Sequence, residues 1–148
     1  MTLEGKTAVI TGASAGIGAS VARMLHERGV NVGLVSRRGD DLGLEGAMAA
    51  ACDVRDAAAV EAMIEAIWAE GPLDVLMNNA AGNFLARTEE LSLGAFQSVI
   101  GIVLLGTLHT TLSCGRRWLV AGHGGVVLES QGLQAQAERN HVLSEWAA

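Results

Sequence analysis

Short apolar runs alternate with longer amphipathic stretches along this chain. The run Thr7-Ala8-Val9-Ile10 predicts a first strand, about Thr7 to Thr11, and a helix from about Gly16 to Arg28 follows it, closed by Gly29 as a C-terminal glycine. A second strand covers about Asn31 to Ser36, and the crossover from Gly39 to Ala47 has room for one or two helical turns. A third strand spans about Met48 to Cys52, and Asp53 to Asp56 reads as a turn and helix cap. Val60, Met63, Ile64, Ile67 and Trp68 recur at helical spacing within Ala57 to Glu70, and Gly71-Pro72 ends that helix. A fourth strand, Leu73 to Met77, leads into Asn78-Asn79-Ala80-Ala81-Gly82. A long helical region from about Ser92 to Leu119, a turn at Gly122 to Gly125 and a fifth strand, Val126 to Leu128, complete the pattern. The strands lack strict alternation of apolar and polar residues, as expected when both faces of a sheet are covered. Strands alternating with helices predict an α/β fold, a doubly wound parallel sheet of about five strands in the order 3-2-1-4-5. The ligand crevice then lies where that order reverses, at the carboxyl ends of strands 1 and 4.

Composition narrows this picture. With 148 residues, half of them hydrophobic, the chain can build one domain with a modest core. The net charge of −6 and the lack of a basic block argue against nucleic acid as a partner. Cys52 and Cys114 share no metal-ligand spacing with the four histidines, and read as buried thiols in a reducing cytoplasm. Met1 to Lys6 lacks the design of a signal peptide. The densest apolar stretch, Val99 to Leu108, is too short to span a bilayer and reads as a buried or interface helix. The chain contains no tyrosine, and its one lysine is Lys6.

Candidate chemistry gathers at the predicted strand ends. Thr11-Gly12-Ala13-Ser14-Ala15-Gly16-Ile17-Gly18 sits between a strand and a helix. Missing side chains there let backbone N–H groups approach a pyrophosphate, and the helix N-terminus adds partial positive charge. The alternative is an ordinary turn that favours glycine. Ser36-Arg37-Arg38 stands where an NAD site places an acidic residue for the ribose 2′-hydroxyl. A guanidinium fork suits a 2′-phosphate instead, which selects NADP (NADPH) over NAD; the alternative for Arg38 is a solvated charge. Asp53 can accept from an adenine amino group, cap the next helix with Asp56, or both.

These motifs, together with Cys52-Asp53-Val54 and Asn78-Asn79-Ala80-Ala81-Gly82, resemble the short-chain dehydrogenase/reductase family over about residues 3 to 128. The longer form running through Asn83-Phe84 is similar to the 2,4-dienoyl-CoA reductase branch. The resemblance implies a Rossmann-type fold. It implies that Gly12, Ser14, Gly16, Ile17 and Gly18 hold the pyrophosphate side of the cofactor, and Ser36, Arg37 and Arg38 the 2′-phosphate. Asp53 and Val54 would flank the adenine. Asn79, Ala80 and Gly82 would line the central groove and brace strand 4, and Asn83 and Phe84 would approach the nicotinamide and substrate.

The same resemblance marks departures. The family's tyrosine proton donor and its lysine four residues later have no counterpart here. Val103 stands at the position of the family's helix asparagine, and Ser130 lies near that of its serine, in different surroundings. The expectation is an NADP-binding domain at residues 1–128 that is inactive alone, followed by a divergent tail at 129–148. His141 in that tail reads as an exposed side chain rather than an acid–base group. The tail implies truncation, a disrupted frame or an internal deletion, since Leu143-Ser144-Glu145-Trp146 resembles a later family segment. Loss of the later elements would bare the apolar helix around Phe96 to Leu112. Self-association, pairing with a full-length relative, or docking as a non-catalytic interaction protein would follow.

Overall fold

The central strand β1, Thr7–Thr11, is buried along its whole length. Its residues alternate between two cores, one on each face of the sheet. Ala8 and Ile10 pack with Ala22, Val32 and Leu34 under helix α1, Gly16–His26. Val9 packs with Val60, Ile64, Leu76 and Trp118 on the opposite face. A computed structural model describes residues 2–83 and 86–130 of the chain; Phe84, His141 and the rest of the expected tail beyond Ser130 lie outside the described residues.

The sheet adds β2 at Asn31–Ser36, β3 at Met48–Ala51, β4 at Val75–Asn78 and β5 at Val126–Glu129. Its order is β3-β2-β1-β4-β5 with every pair parallel, as the alternation of elements predicts. β5 continues past the expected boundary at residue 128, and the Ser130 N–H still donates to the Asn78 carbonyl at 3.2 Å. α1 ends two residues before the predicted point. The Val30 and Gly29 N–H groups bond back to the Leu25 and His26 carbonyls, with Gly29 at φ +75°. That pattern is a glycine-closed helix end.

The crossover from β2 to β3 departs from expectation. It forms turns, not helix, with Leu42 and its neighbouring glycines at positive φ. Each glycine would cost a helix about 1 kcal/mol, and three stand within Gly39 to Gly46. Leu42 and Leu44 nevertheless pack against the α1-side core.

Helix α2, Ala57–Glu70, starts at Asp56, whose Oδ1 accepts from the Ala58 and Ala59 N–H groups. A continuous helical stretch then runs from Leu93 to Ala121: α3 at Leu93–Ile100, a π-helical segment at Gly101–Gly106 and α4 at Thr107–Ala121. Its 29 residues, with a mean hydropathy of 1.5 over the most apolar window, are long and apolar enough to cross a membrane by length and composition. Yet α4 packs on α2 and the sheet through Thr110, Ser113, Cys114 and Trp118. Leu104, Leu108 and Leu112 are exposed, so only part of the expected burial occurs. On the packed side, beside Cys114 and Trp118, Thr110 bonds inward to Asn78 of the sheet and Ser113 to Glu61 of α2.

Asp74 ties the lower end of the sheet. Its carboxylate accepts from the Thr7 N–H and from Lys6 Nζ, each at 2.9 Å, and His123 Nε2 lies 3.3 Å away. Burial pushes this carboxyl up, but the Thr7 N–H and the Lys6 ammonium outweigh it and hold it below the usual carboxylate range. A depressed folded-state pKa contributes stability above the unfolded value of about 3.9, and that stability is lost as pH falls through the folded value. Asp74→Asn is therefore expected to flatten the acid limb of a urea-midpoint profile between about pH 5 and pH 2. An unchanged acid limb would contradict the assignment.

Candidate functional site

A cleft of about 520 Å³ opens at the carboxyl ends of β1 and β4, where the strand order reverses. Its floor is built around Thr11. The Thr11 hydroxyl accepts from the N–H groups of Asn79 and Ala80, each at 3.0 Å. Asn79 answers from the side chain, donating Nδ2 to the carbonyls of Thr11 and Gly12 at 3.1 and 3.2 Å. The end of β4 is thereby locked to the turn that leaves β1. Asn78 carries the lock outward, its Oδ1 accepting from Thr110 at 2.7 Å and its Nδ2 donating to Glu129 at 2.8 Å.

Gly12, Ser14, Gly16 and Ile17 line one wall. Helix α1 begins there without a capping side chain and without an acidic residue in its first turn. Its leading N–H groups are left for water or a ligand, at the positive end of the helix. Gly12 and Gly16 hold positive φ, at +66° and +58°, and a Cβ on Gly16 would project into open space. Gly18 does not line the cleft. A Cβ there would stand 2.5 Å from both the Gly12 carbonyl oxygen and Asn79 Nδ2, so glycine lets α1 abut the lock.

The opposite wall comes from the ends of β2 and β3. Arg37 lines the cleft, and among the described residues no ion pair holds it. Ser36 also lines it, with its hydroxyl accepting from the Gly39 N–H at 3.0 Å. Arg38 lies outside the lining residues and pairs with Asp40 at 2.9 Å. Asp53 lines the cleft but takes no part in capping α2, which Asp56 does. Its carboxylate instead accepts from the backbone N–H and guanidinium of Arg55. That guanidinium, ahead of the more distant Arg37, holds the Asp53 carboxyl below the usual carboxylate range. Burial, reinforced by Asp53 and Asp56, pushes the neighbouring Cys52 thiol up, so it stays protonated and unreactive.

Sequence reasoning did not anticipate Arg55, Ser98 and Ile102 as lining residues. Ser98 and Ile102 come from the helical stretch Leu93–Ala121 and reach the cleft because that stretch packs hard on the loop after β3. A side chain on Gly106 would meet Val54 Cγ2 at 2.6 Å, one on Gly101 would meet Arg55 Cδ at 3.3 Å, and His109 Nδ1 lies 2.9 Å from the Val54 carbonyl. A Cβ on Gly82 would stand 2.7 Å from Ile102 Cδ1, so Gly82 admits that side chain to the cleft. The short apolar-glycine spacing Gly101, Gly106 was the available signal for this close approach. Val103 is partly buried in the π segment and does not line the cleft. Ser130 is buried and donates its hydroxyl to Asn79 Oδ1 at 2.8 Å.

Known proteins share this arrangement. The family model for short chain dehydrogenase matches residues 6–142. D-threitol dehydrogenase of Mycolicibacterium smegmatis is 40% identical over 140 residues, covering 84% of this chain and 52% of that protein. A "Probable 2,4-dienoyl-CoA reductase" of Bacillus subtilis is 38% identical over 136 residues, covering 85% of this chain and 54% of its own. A short-chain type dehydrogenase/reductase from Mycobacterium marinum superposes with a TM-score of 0.81 at 30% identity, over 86% of this chain and 54% of that one. The chain thus spans about half the length of the relatives it matches. Members of the family use a nicotinamide dinucleotide cofactor. With the family model matching nearly its whole length, and with the cleft built at the reversal of strand order, the chain belongs to the short-chain dehydrogenase family of oxidoreductases.

Proposed function

We propose that this chain binds NADP in the cleft and does not by itself carry out hydride transfer. The observation that carries the reading is Arg37, a cation on the cleft wall opposite an uncapped helix N-terminus. Gly12, Ser14, Gly16 and Ile17 would hold the pyrophosphate, while Gly18 acts from behind them. Ser36 and Arg37 would hold the 2′-phosphate, with Arg38 at the rim. Asp53 and Val54 would meet the adenine, and Asn79, Ala80 and Gly82 the central groove. When bound, the dinucleotide supplies a hydride donor or acceptor. The family's tyrosine and following lysine, which would manage the accompanying proton, have no counterpart in this sequence. Relatives acting on enoyl-CoA, dienoyl-CoA or carbonyl substrates set the expected chemical class.

Arg37→Ala tests the phosphate role. Losing a charge-assisted contact costs about 1.5–3 kcal/mol, or roughly ten- to hundredfold in affinity. NADPH affinity, followed by its fluorescence, is expected to fall by that factor while NADH affinity holds. Equal losses for both would overturn the assignment. No consumption of NADPH is expected with dienoyl- or enoyl-CoA; steady turnover would establish a substitute acid.

A second reading, docking with another polypeptide, is favoured by the outward leucines of the stretch Leu93–Ala121, Leu104, Leu108, Leu112 and Leu119. Exposed apolar surface of this kind marks interaction sites. A defined oligomer in sedimentation would support it, and a monomer at all concentrations would count against it.

A further inference from the structure

A line of hydrogen bonds crosses the carboxyl ends of four strands, and it starts outside the cleft. Ser130, just past β5, is buried and does not line the cleft, and its hydroxyl donates to Asn79 Oδ1 at 2.8 Å. Asn79 follows β4 and passes the line on, its Nδ2 donating to the Thr11 and Gly12 carbonyls at 3.1 and 3.2 Å. The Ala13 N–H, in the peptide that carries the Gly12 carbonyl, donates to the Val35 carbonyl of β2 at 3.1 Å. Each peptide is planar, so a carbonyl turned towards Asn79 aims the N–H of the same peptide the opposite way. The Asn79 amide therefore sets the tilt of the two peptides that open the glycine turn. Two carbonyls on one side require the amide NH2 there, which turns the amide oxygen towards β5 and leaves it needing a donor. Among the described residues that donor is Ser130.

We propose that Ser130 is a positioning residue for the cleft, its hydroxyl holding the Asn79 amide and, through it, the glycine turn that would receive a pyrophosphate. The role rests on the dinucleotide reading above. Gly12 and Gly18 crowd the amide closely: a Cβ on them would stand 3.1 and 2.5 Å from Asn79 Nδ2. Without the Ser130 hydroxyl, Oδ1 loses its donor, and any rotation of the amide towards another pulls Nδ2 off the two carbonyls. N–H groups converging on a pyrophosphate lose strength steeply when misaligned. A ligand without a pyrophosphate does not feel that change. Asn78, one residue earlier, needs no such help, because Thr110, Thr111 and Glu129 all bond its amide. Ser130 acts through Asn79 and not on the ligand.

The test compares NADPH with adenosine 2′-monophosphate, which keeps the base and the 2′-phosphate but has no pyrophosphate. In Ser130→Ala, NADPH affinity, read by fluorescence titration, is expected to fall about three- to tenfold, the worth of one hydrogen bond. Affinity for adenosine 2′-monophosphate, read by its displacement of NADPH, is expected to stay within about twofold. Ser130→Thr, which keeps the hydroxyl, is expected to restore NADPH affinity. A general structural role would weaken both ligands alike, and that result overturns the inference. A Ser130→Ala chain that no longer folds would make the hydroxyl a support of the whole domain and overturns it too. A Ser130→Ala chain that binds NADPH as the unaltered chain does removes this inference and leaves the dinucleotide reading standing. Failure of the unaltered chain to bind NADPH at all overturns both.

Discussion

Trp118→Ala is expected to lower the stability of the domain by about 3–5 kcal/mol, the range for deleting a buried aromatic side chain. Trp118 is only 9% exposed and sits in the core with Ile64, Ile67, Leu73, Leu76 and Cys114. Its indole N–H donates to the Leu73 carbonyl at 2.6 Å, which joins α4 to the chain entering β4. The ring lies so close to Gly125 that no side chain fits there, which joins α4 to the approach to β5 as well. The substitution removes packing from three elements and leaves the Leu73 carbonyl without its indole partner. Domain stabilities of about 5–15 kcal/mol make such a loss close to unfolding. The urea midpoint reads it directly. Cys114 gives an independent readout: burial pushes its thiol up to about 12, so it resists alkylation near neutral pH in the unaltered chain. Faster alkylation is expected in Trp118→Ala. A midpoint shift worth under about 1 kcal/mol would show that the indole is not the keystone described.

Gly18→Ala is expected to destabilise the domain by about 1–2 kcal/mol and to weaken NADPH binding by tenfold or more. Intrinsic helix propensity argues the opposite sign, since alanine favours a helix over glycine by about 1 kcal/mol. The collision decides. The new methyl would stand 2.5 Å from the Gly12 carbonyl oxygen, and backbone cannot swing aside as a flexible side chain does. The same methyl would stand 2.5 Å from Asn79 Nδ2, whose bonds hold the end of β4 to the turn after β1. Relief requires α1 to back away, and its N-terminus then leaves the cleft wall. Denaturant unfolding and a fluorescence titration would measure the two effects. A stabilised variant with unaltered NADPH affinity would contradict this account of Gly18.

The elements most legible in the sequence were those whose cause is local. β1, β2 and α2 occupy the predicted residues because two-sided burial demands continuous apolar strands and Asp56 is a strong cap. The crossover from Gly39 to Ala47 is long enough for one or two helical turns, but its three glycines favour turns, and Leu42 and Leu44 reach the α1-side core without a helix. At the cleft, Gly12, Ser14, Gly16, Ile17, Ser36, Arg37, Asp53, Val54, Asn79, Ala80 and Gly82 come together as wall and floor. They share that position because in a parallel sheet every carboxyl end points to one edge. Gly18, named with them, stands behind that wall against the Gly12 carbonyl and Asn79, and Arg38 lies outside the lining, paired with Asp40.

Alone, the sequence determined the alternation of strands and helices, the glycine turn after β1, the arginines after β2 and the lack of a tyrosine anywhere in the chain. Each is a property of neighbouring residues or of composition. Only the tertiary structure decided that Arg55 closes on Asp53, that Ser98 and Ile102 reach the cleft, and that the leucines around Leu108 face outward. The last two depend on how the stretch Leu93–Ala121 rotates against α2 and the sheet. That rotation is set by contacts between residues far apart in the chain, such as Thr110 with Asn78, 32 positions away, and Ser113 with Glu61, 52 positions away. Periodicity shows that a helix has two faces; the buried hydrogen bonds select which of them turns inward.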